Sequence, residues 1–282
     1  MVLEAILNPA AAKKRPYETF FLGALYATIG LFLGYWVFKD FSSLIMVFLT
    51  TLAAVPLLYF TTKGEEEEDT VNSTEYAVIK EHSKVLLFLM FLFLGMTLSF
   101  SLFYILLPSD MVSILFSSQS ETIGAINNHI SGGVAHSDVF LRILLNNVRV
   151  LIFSILFSFL YGMGSIFILS WNSSVIAAAI GNFVRKNIAN YAGAIGLEKV
   201  STYFNILSFG FLRYALHGIP EILAYFVGGL AGGIISMAVV KRDLFTEKKD
   251  RIISDALELL LLSIGILIFA ALLEVYVTPI LF

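Results

Sequence analysis

Residues Val85 to Leu107 read V-L-L-F-L-M-F-L-F-L-G-M-T-L-S-F-S-L-F-Y-I-L-L, 23 positions without one Asp, Glu, Lys or Arg. About 20 mostly apolar residues in a helix cross the roughly 30 Å hydrocarbon core of a bilayer, and a soluble core helix has no use for apolar side chains all round. This stretch therefore decides the class: the chain is an integral membrane protein, all-α, a polytopic helix bundle. The rest of the composition agrees. Of 282 residues, 58% are hydrophobic and 14% charged, and the mean hydropathy is +0.87, against about 45–50% apolar and 25% charged in a soluble domain. The net charge of −3 leaves no basic face for nucleic acid. Absence of cysteine removes disulfides, thiolate metal sites and cysteine nucleophiles. The 26 Phe and 12 Tyr suit lipid-facing helices and interfacial belts.

Working outward from that stretch, the same test predicts spans at Phe20–Phe38, Phe41–Phe60, Leu144–Leu169 closing at Trp171, Ile219–Val240 and Ala256–Val277. Only Lys39-Asp40 separates the first two, which makes a tight hairpin. The first run is too long for a signal peptide and ends in the interfacial pair Tyr35-Trp36, so it is kept as a span. Between Asn172 and Gly218 the apolar runs are short. Ser174–Val184 is cut off by Arg185-Lys186 and reads as a re-entrant or interfacial helix. Phe204–Leu216, with Arg213 inside it, reads as a short crossing. The expectation is about seven crossings plus a broken or re-entrant helix.

Lys and Arg collect in cytoplasmic loops. Eleven of the 18 lie in three places: the N-terminal segment 1–19, the loop 61–84 and residues 241–254, whereas Val85 to Leu141 has none. The N-terminus and loop 61–84 are thus expected in the cytoplasm. The segment 108–139 and the C-terminus are expected outside, in a multi-pass protein of the cell membrane. Residues 20–107 then form a three-span unit and residues 140–282 a second membrane region. The run Glu65-Glu66-Glu67-Glu68-Asp69 in the cytoplasmic loop reads as solvated chain, and the acceptor triplet Asn72-Ser73-Thr74 falls on the wrong side for glycosylation. In segment 108–139, Met111, Ile114 and Leu115 suggest a short helix on the surface. Ile123, Ile126 and Ile130 repeat the helical spacing before Gly132-Gly133 breaks it. His129 and His136 lack a Cys or a fixed carboxylate set and read as loop histidines, so no metal and no cofactor is expected.

Ionisable residues at membrane depth mark candidate sites. The densest run is Arg213-Tyr214-Ala215-Leu216-His217-Gly218-Ile219-Pro220-Glu221. Gly218 can end one helix and Pro220 begin the next, so the expected form is helix, break, helix, with Arg213, His217 and Glu221 converging. The same charges also suit helix ends at an interface, so a structural reading stands beside the functional one. Asn146 and Asn147 open the fourth predicted span, and Asn172 follows Trp171; all three read as helix caps. Glu274 is expected to reach from the last span towards water. Gly228-Gly229-Leu230-Ala231-Gly232-Gly233 has small residues four apart, the pattern that lets helices approach closely, and Ala177 to Gly181 offers a matching smooth surface. No His-Glu-x-x-His, no P-loop and no Gly-x-Ser-x-Gly elbow occurs, so an enzyme is not expected.

Asn146-Asn147, Trp171-Asn172 with the small-residue run to Gly181, and His217-Gly218-Ile219-Pro220-Glu221 before a glycine-rich span together resemble the stage II sporulation protein M family, from about Phe140 to Val240 and on towards the C-terminus. In overall length the chain is similar to archaeal-type members. Where the family pattern often has Asn-Gly, this chain has Asn172-Ser173. The resemblance implies a membrane subunit that anchors or scaffolds a complex, since bacterial members act in spore engulfment beside wall-degrading proteins. Two function classes follow. One is a non-enzymatic scaffold whose partners are the bilayer and other membrane or envelope proteins, with a homo-oligomer as a further arrangement. The other is a permease or lipid-translocating subunit with its site at the broken helix around His217–Glu221. An intramembrane hydrolase is a distant third.

Overall fold

A computed structural model of the chain describes residues 15–68, 75–130, 136–161, 165–190, 196–247 and 249–281. Among them the structure is helical throughout, and seven helices are long and apolar enough to cross a bilayer. In chain order the elements are α1 (Glu18–Val37), α2 (Ser42–Glu68), α3 (Glu75–Leu106), α4 (Ser109–Leu115), α5 (Ser117–Ile130), α6 (His136–Tyr161), α7 (Ser165–Asn190), α8 (Gly196–Val240), α9 (Lys249–Leu272), a π-helical turn (Leu273–Val277) and α10 (Thr278–Leu281). Large apolar side chains on the rim, such as Phe21 and Trp36, are exposed, as a bilayer requires. The protein is a multi-pass membrane protein.

The two largest of four buried apolar clusters among the described residues hold most of the bundle. One gathers α1, α2, α3, α4 and α7 around Tyr26, Met46, Phe100 and Phe116; the other gathers α6, α8 and α9 around Leu151, Tyr225 and Leu267, with Phe93 of α3 joining them. Lipid offers little hydrophobic drive between helices, so close backbone approach and hydrogen bonds do the work. Gly23 and Gly95 let α1 and α3 touch backbone to backbone: a Cβ on Gly23 would collide with the carbonyl of Leu92, and one on Gly95 with that of Phe20. The Thr28 and Ser99 hydroxyls meet between the same helices at 3.0 Å. The predicted hairpin is present, turned by a 3₁₀ segment at Lys39–Phe41.

Seven spans agree with expectation in number but not in identity. The predicted span Leu144–Leu169 is not one helix, since α6 ends at Tyr161 and α7 begins at Ser165. Ser174–Val184 is therefore no re-entrant piece but the middle of α7, 26 residues long. The polar residues that made its apolar run look short are satisfied within the bundle. Asn172 donates to the Ile168 carbonyl at 2.9 Å, Ser173 and Ser174 donate to Ser170 and Trp171 carbonyls, and Arg185 donates to the carbonyls of Ile105 and Leu107, closing the free end of α3. Phe204–Leu216 and Ile219–Val240 are likewise one helix. Pro220 lies inside α8, and the break expected at Gly218–Pro220 does not occur. Membrane helices tolerate an internal proline where neighbouring helices support the backbone, and buried Gly218 packs on Ile176 of α7 at this level.

The segment after α3 is also placed differently. Instead of lying on the surface, α4 and the start of α5 dock into the bundle, with Val112, Leu115 and Phe116 buried. Phe116 sits edge-on to Phe100 and tilted against Tyr104. Gln119 is fully buried and donates to the Ser43 carbonyl at 3.1 Å and the Ser174 hydroxyl at 3.0 Å, tying α5 to α2 and α7. The N-terminal residues up to Lys14, Asp69, Asn72-Ser73-Thr74 and Gly132-Gly133 lie outside the described residues, as do the side chains of Glu65–Glu68, His129 and His136.

Candidate functional site

Four residues of α8 spaced four apart, Arg213, His217, Glu221 and Tyr225, form one stripe along the helix. A helix uninterrupted by Gly218 or Pro220 is what holds them in line. The stripe meets the end of the last span. There Thr278 approaches His217 Nδ1 at 3.4 Å while its hydroxyl donates to the Leu273 carbonyl at 3.0 Å. The π turn Leu273–Val277 carries Glu274 one turn before Thr278. Single π turns inside α-helices recur at functional sites.

The expected convergence of Arg213, His217 and Glu221 is met only in part. The partner of Glu221 is the fully buried Tyr225, whose hydroxyl donates to Glu221 Oε1 at 2.6 Å. Arg213 leans the other way, with its guanidinium 5.7 Å from the ring of Phe183 on α7, and its charge bears on His217 and Tyr214. Glu274 is partly buried, on the π turn that precedes the contact of Thr278 with His217. The sequence offered one signal for this, since Glu274 and Thr278 share the spacing of Glu221 and Tyr225 and so present a second polar stripe. Two carboxylates, a phenol, an imidazole and a threonine hydroxyl thus line one seam between apolar helices.

The asparagines are not helix caps. Asn146 and Asn147 lie within α6, ten residues past its start, and Asn172 lies within α7. Asn146 is exposed, whereas Asn147 is 4% exposed and its Nδ2 has no hydrogen-bond partner. Of the glycines, Gly228 packs on Leu151 of α6, and Gly232 brings α8 against the Ile155 carbonyl. Gly229 is buried and Gly233 partly so. Gly181 instead packs on the ring of Tyr104 of α3, so the two smooth surfaces read from the sequence serve different neighbours. Among the described residues no three of His, Asp and Glu come together in a metal-ligating group.

The stage II sporulation protein M family model matches residues 23–279. The match takes in the helices before Phe140 as well as the region whose motifs carry the resemblance. No curated protein and no solved structure matches the chain. With the family match covering nearly all of a seven-span helix bundle, the chain belongs to the stage II sporulation protein M family.

Proposed function

We propose that the protein is a non-enzymatic scaffold or anchor subunit that holds other membrane or envelope proteins in a complex. The observation that carries this reading is the length of α8. Its 45 residues make a rod of about 67 Å, more than twice the roughly 30 Å of hydrocarbon a span must cross. A good part of it therefore stands outside the lipid at any ordinary tilt. Near its start, Val200 and Phe204 are 66% and 69% exposed and lie four apart on one face. Apolar side chains displayed beyond the membrane suit a protein partner. The Lys/Arg distribution gives the orientation that goes with this reading, with the N-terminus and residues 241–254 cytoplasmic and the C-terminus and the start of α8 outside.

Affinity purification of the full-length protein in mild detergent tests the proposal. Val200→Glu with Phe204→Glu should release proteins that co-purify with the unchanged chain, while leaving membrane insertion intact. If the double variant keeps the same partners, or if the unchanged chain purifies alone from its own membranes, the scaffold role at this surface fails.

A further inference from the structure

We propose that the cavity between the end of α7, the start of α8 and α10 binds one anionic phospholipid with a hydroxylated head group. The cavity holds about 530 Å³ and is lined by Phe183 and Asn187 of α7, Thr202, Asn205 and Phe209 of α8, and Ile280 of α10. That volume lies within the range of ligand sites. Its depth follows from contacts. Arg185 donates to the carbonyls of Ile105 and Leu107 at the end of α3, and Gly210 packs on Phe183 and Val184. Phe183 and Gly210 therefore stand at the level where α3 leaves the hydrocarbon. Asn187 is one turn past Phe183, and Asn205 and Thr202 are one to two turns before Gly210 on the antiparallel α8. These three stand about 6 to 12 Å further out, within and at the rim of the polar head-group layer.

The lining changes with depth as a lipid does. At the hydrocarbon end are Phe209 and Ile280, 51% and 83% exposed. At the far end are two amides and a hydroxyl. Elsewhere in the bundle Thr50, Thr51 and Thr97 return their hydroxyls to the carbonyl one turn back. Thr202 and Asn205 make no side-chain hydrogen bond to another described residue, and Asn187 commits only its Nδ2, to the Phe183 carbonyl at 2.8 Å. Side chains that both donate and accept match hydroxyl groups. Positive charge enters at the hydrocarbon end. Arg213 continues the face of Thr202 and Phe209 one turn deeper, and its guanidinium lies 5.7 Å from the ring of Phe183. A long cationic side chain at that depth reaches back towards the head groups, and Arg pairs well with phosphate. Phosphate near Arg213 and hydroxyls at Asn187, Thr202 and Asn205 is the order of groups in phosphatidylglycerol, whose acyl chains would run down over Phe209 and Ile280. Val200 and Phe204 fall on the other side of α8, so this inference and the scaffold reading stand apart.

Thermal unfolding of the full-length protein in mild detergent tests it, with phosphatidylglycerol, phosphatidic acid or phosphatidylcholine of the same acyl chains added. Phosphatidylglycerol should raise the melting temperature by about 5 °C or more once it exceeds its dissociation constant 100-fold, and phosphatidylcholine should not. Phosphatidic acid, which has the phosphate without the glycerol head, should need at least about tenfold more for the same rise, the loss of one good hydrogen bond. Thr202→Val with Asn205→Leu should remove the preference for phosphatidylglycerol over phosphatidic acid. Arg213→Gln should remove the preference of both over phosphatidylcholine, and Arg213→Lys should keep it. If Arg213→Gln does not fold, the double variant, altered only at the cavity wall, decides the outcome. Native mass spectrometry of the unchanged protein should retain one phosphatidylglycerol per chain. Equal rises with all three lipids, no rise with any, or an unaltered preference in the double variant overturns the proposal. An equal rise with soluble glycerol phosphate also overturns it, since the site would then take a free phosphate ester and not a lipid.

Discussion

The Tyr225 hydroxyl donates to Glu221 Oε1 at 2.6 Å across one turn of α8, and the carbonyl of the same Tyr225 accepts from the Ser154 hydroxyl of α6 at 3.2 Å. One residue thus anchors the polar seam at both its side chain and its backbone. Tyr225→Phe keeps the ring in the core and removes only the donor. Leaving a half-buried carboxylate short of one hydrogen bond costs about 1 kcal/mol, so the variant should melt lower than the unchanged protein. In Glu221→Gln, where the partner is an uncharged amide, adding Tyr225→Phe should cost clearly less. Equal losses in both backgrounds would show that the two side chains are not coupled.

Continuity of α8 through Pro220 has its own consequence. Proline supplies no N–H to the Leu216 carbonyl and crowds the turn before it. Since Pro220 is only partly buried and no break depends on it, Pro220→Ala should restore the bond and raise stability, by about 1 kcal/mol or more. A fall in melting temperature would mean that the proline ring itself is needed for the fit of α8 against its neighbours.

Glycine content divides by what lies opposite. At Gly95 a side chain would meet the Phe20 backbone, whereas at Gly265 nothing lies within 4 Å. Gly95→Leu should therefore prevent α1 and α3 from docking and abolish recovery of folded protein, because backbone cannot shift as a side-chain tip can. Gly265→Ala, on the lipid-facing side of α9, should instead gain about 0.5–1 kcal/mol from reduced backbone freedom. Size-exclusion profiles and melting curves of the two variants read both outcomes.

The orientation proposed from basic residues can be read by labelling, since the chain has no cysteine of its own. Ser113→Cys, exposed on α4, should react with a membrane-impermeant maleimide on intact cells, and Ser73→Cys should react only after permeabilisation. Ser118→Cys should label slowly even on the accessible side, because Ser118 bonds to Ser43 at 2.8 Å between α5 and α2. Reaction at residue 73 but not 113 on intact cells inverts the orientation.

The sequence by itself determined the class, the helical hairpin at Lys39–Phe41, the first three spans and the last one. These depend on apolar runs long enough to cross lipid, and no packing partner can alter that requirement. The alignment of Arg213 with His217 was also legible from helical spacing, but Glu221 joins that stripe only because the expected break at Gly218–Pro220 does not occur. Tertiary structure decided the middle of the chain. Polar residues such as Asn172, Ser174 and Arg185 look like span boundaries in a linear reading, yet inside α7 their hydrogen bonds go to carbonyls of their own helix or of the end of α3. Pro220 and Gly218 look like a break, yet α8, packed against α6, α7 and α9, continues through them. Glu274 looks like an isolated charge in a linear reading, yet the π turn that carries it leads into Thr278, which meets His217 of α8. In each case the deciding term is a partner distant in sequence, which satisfies a polar group that the local chain leaves open.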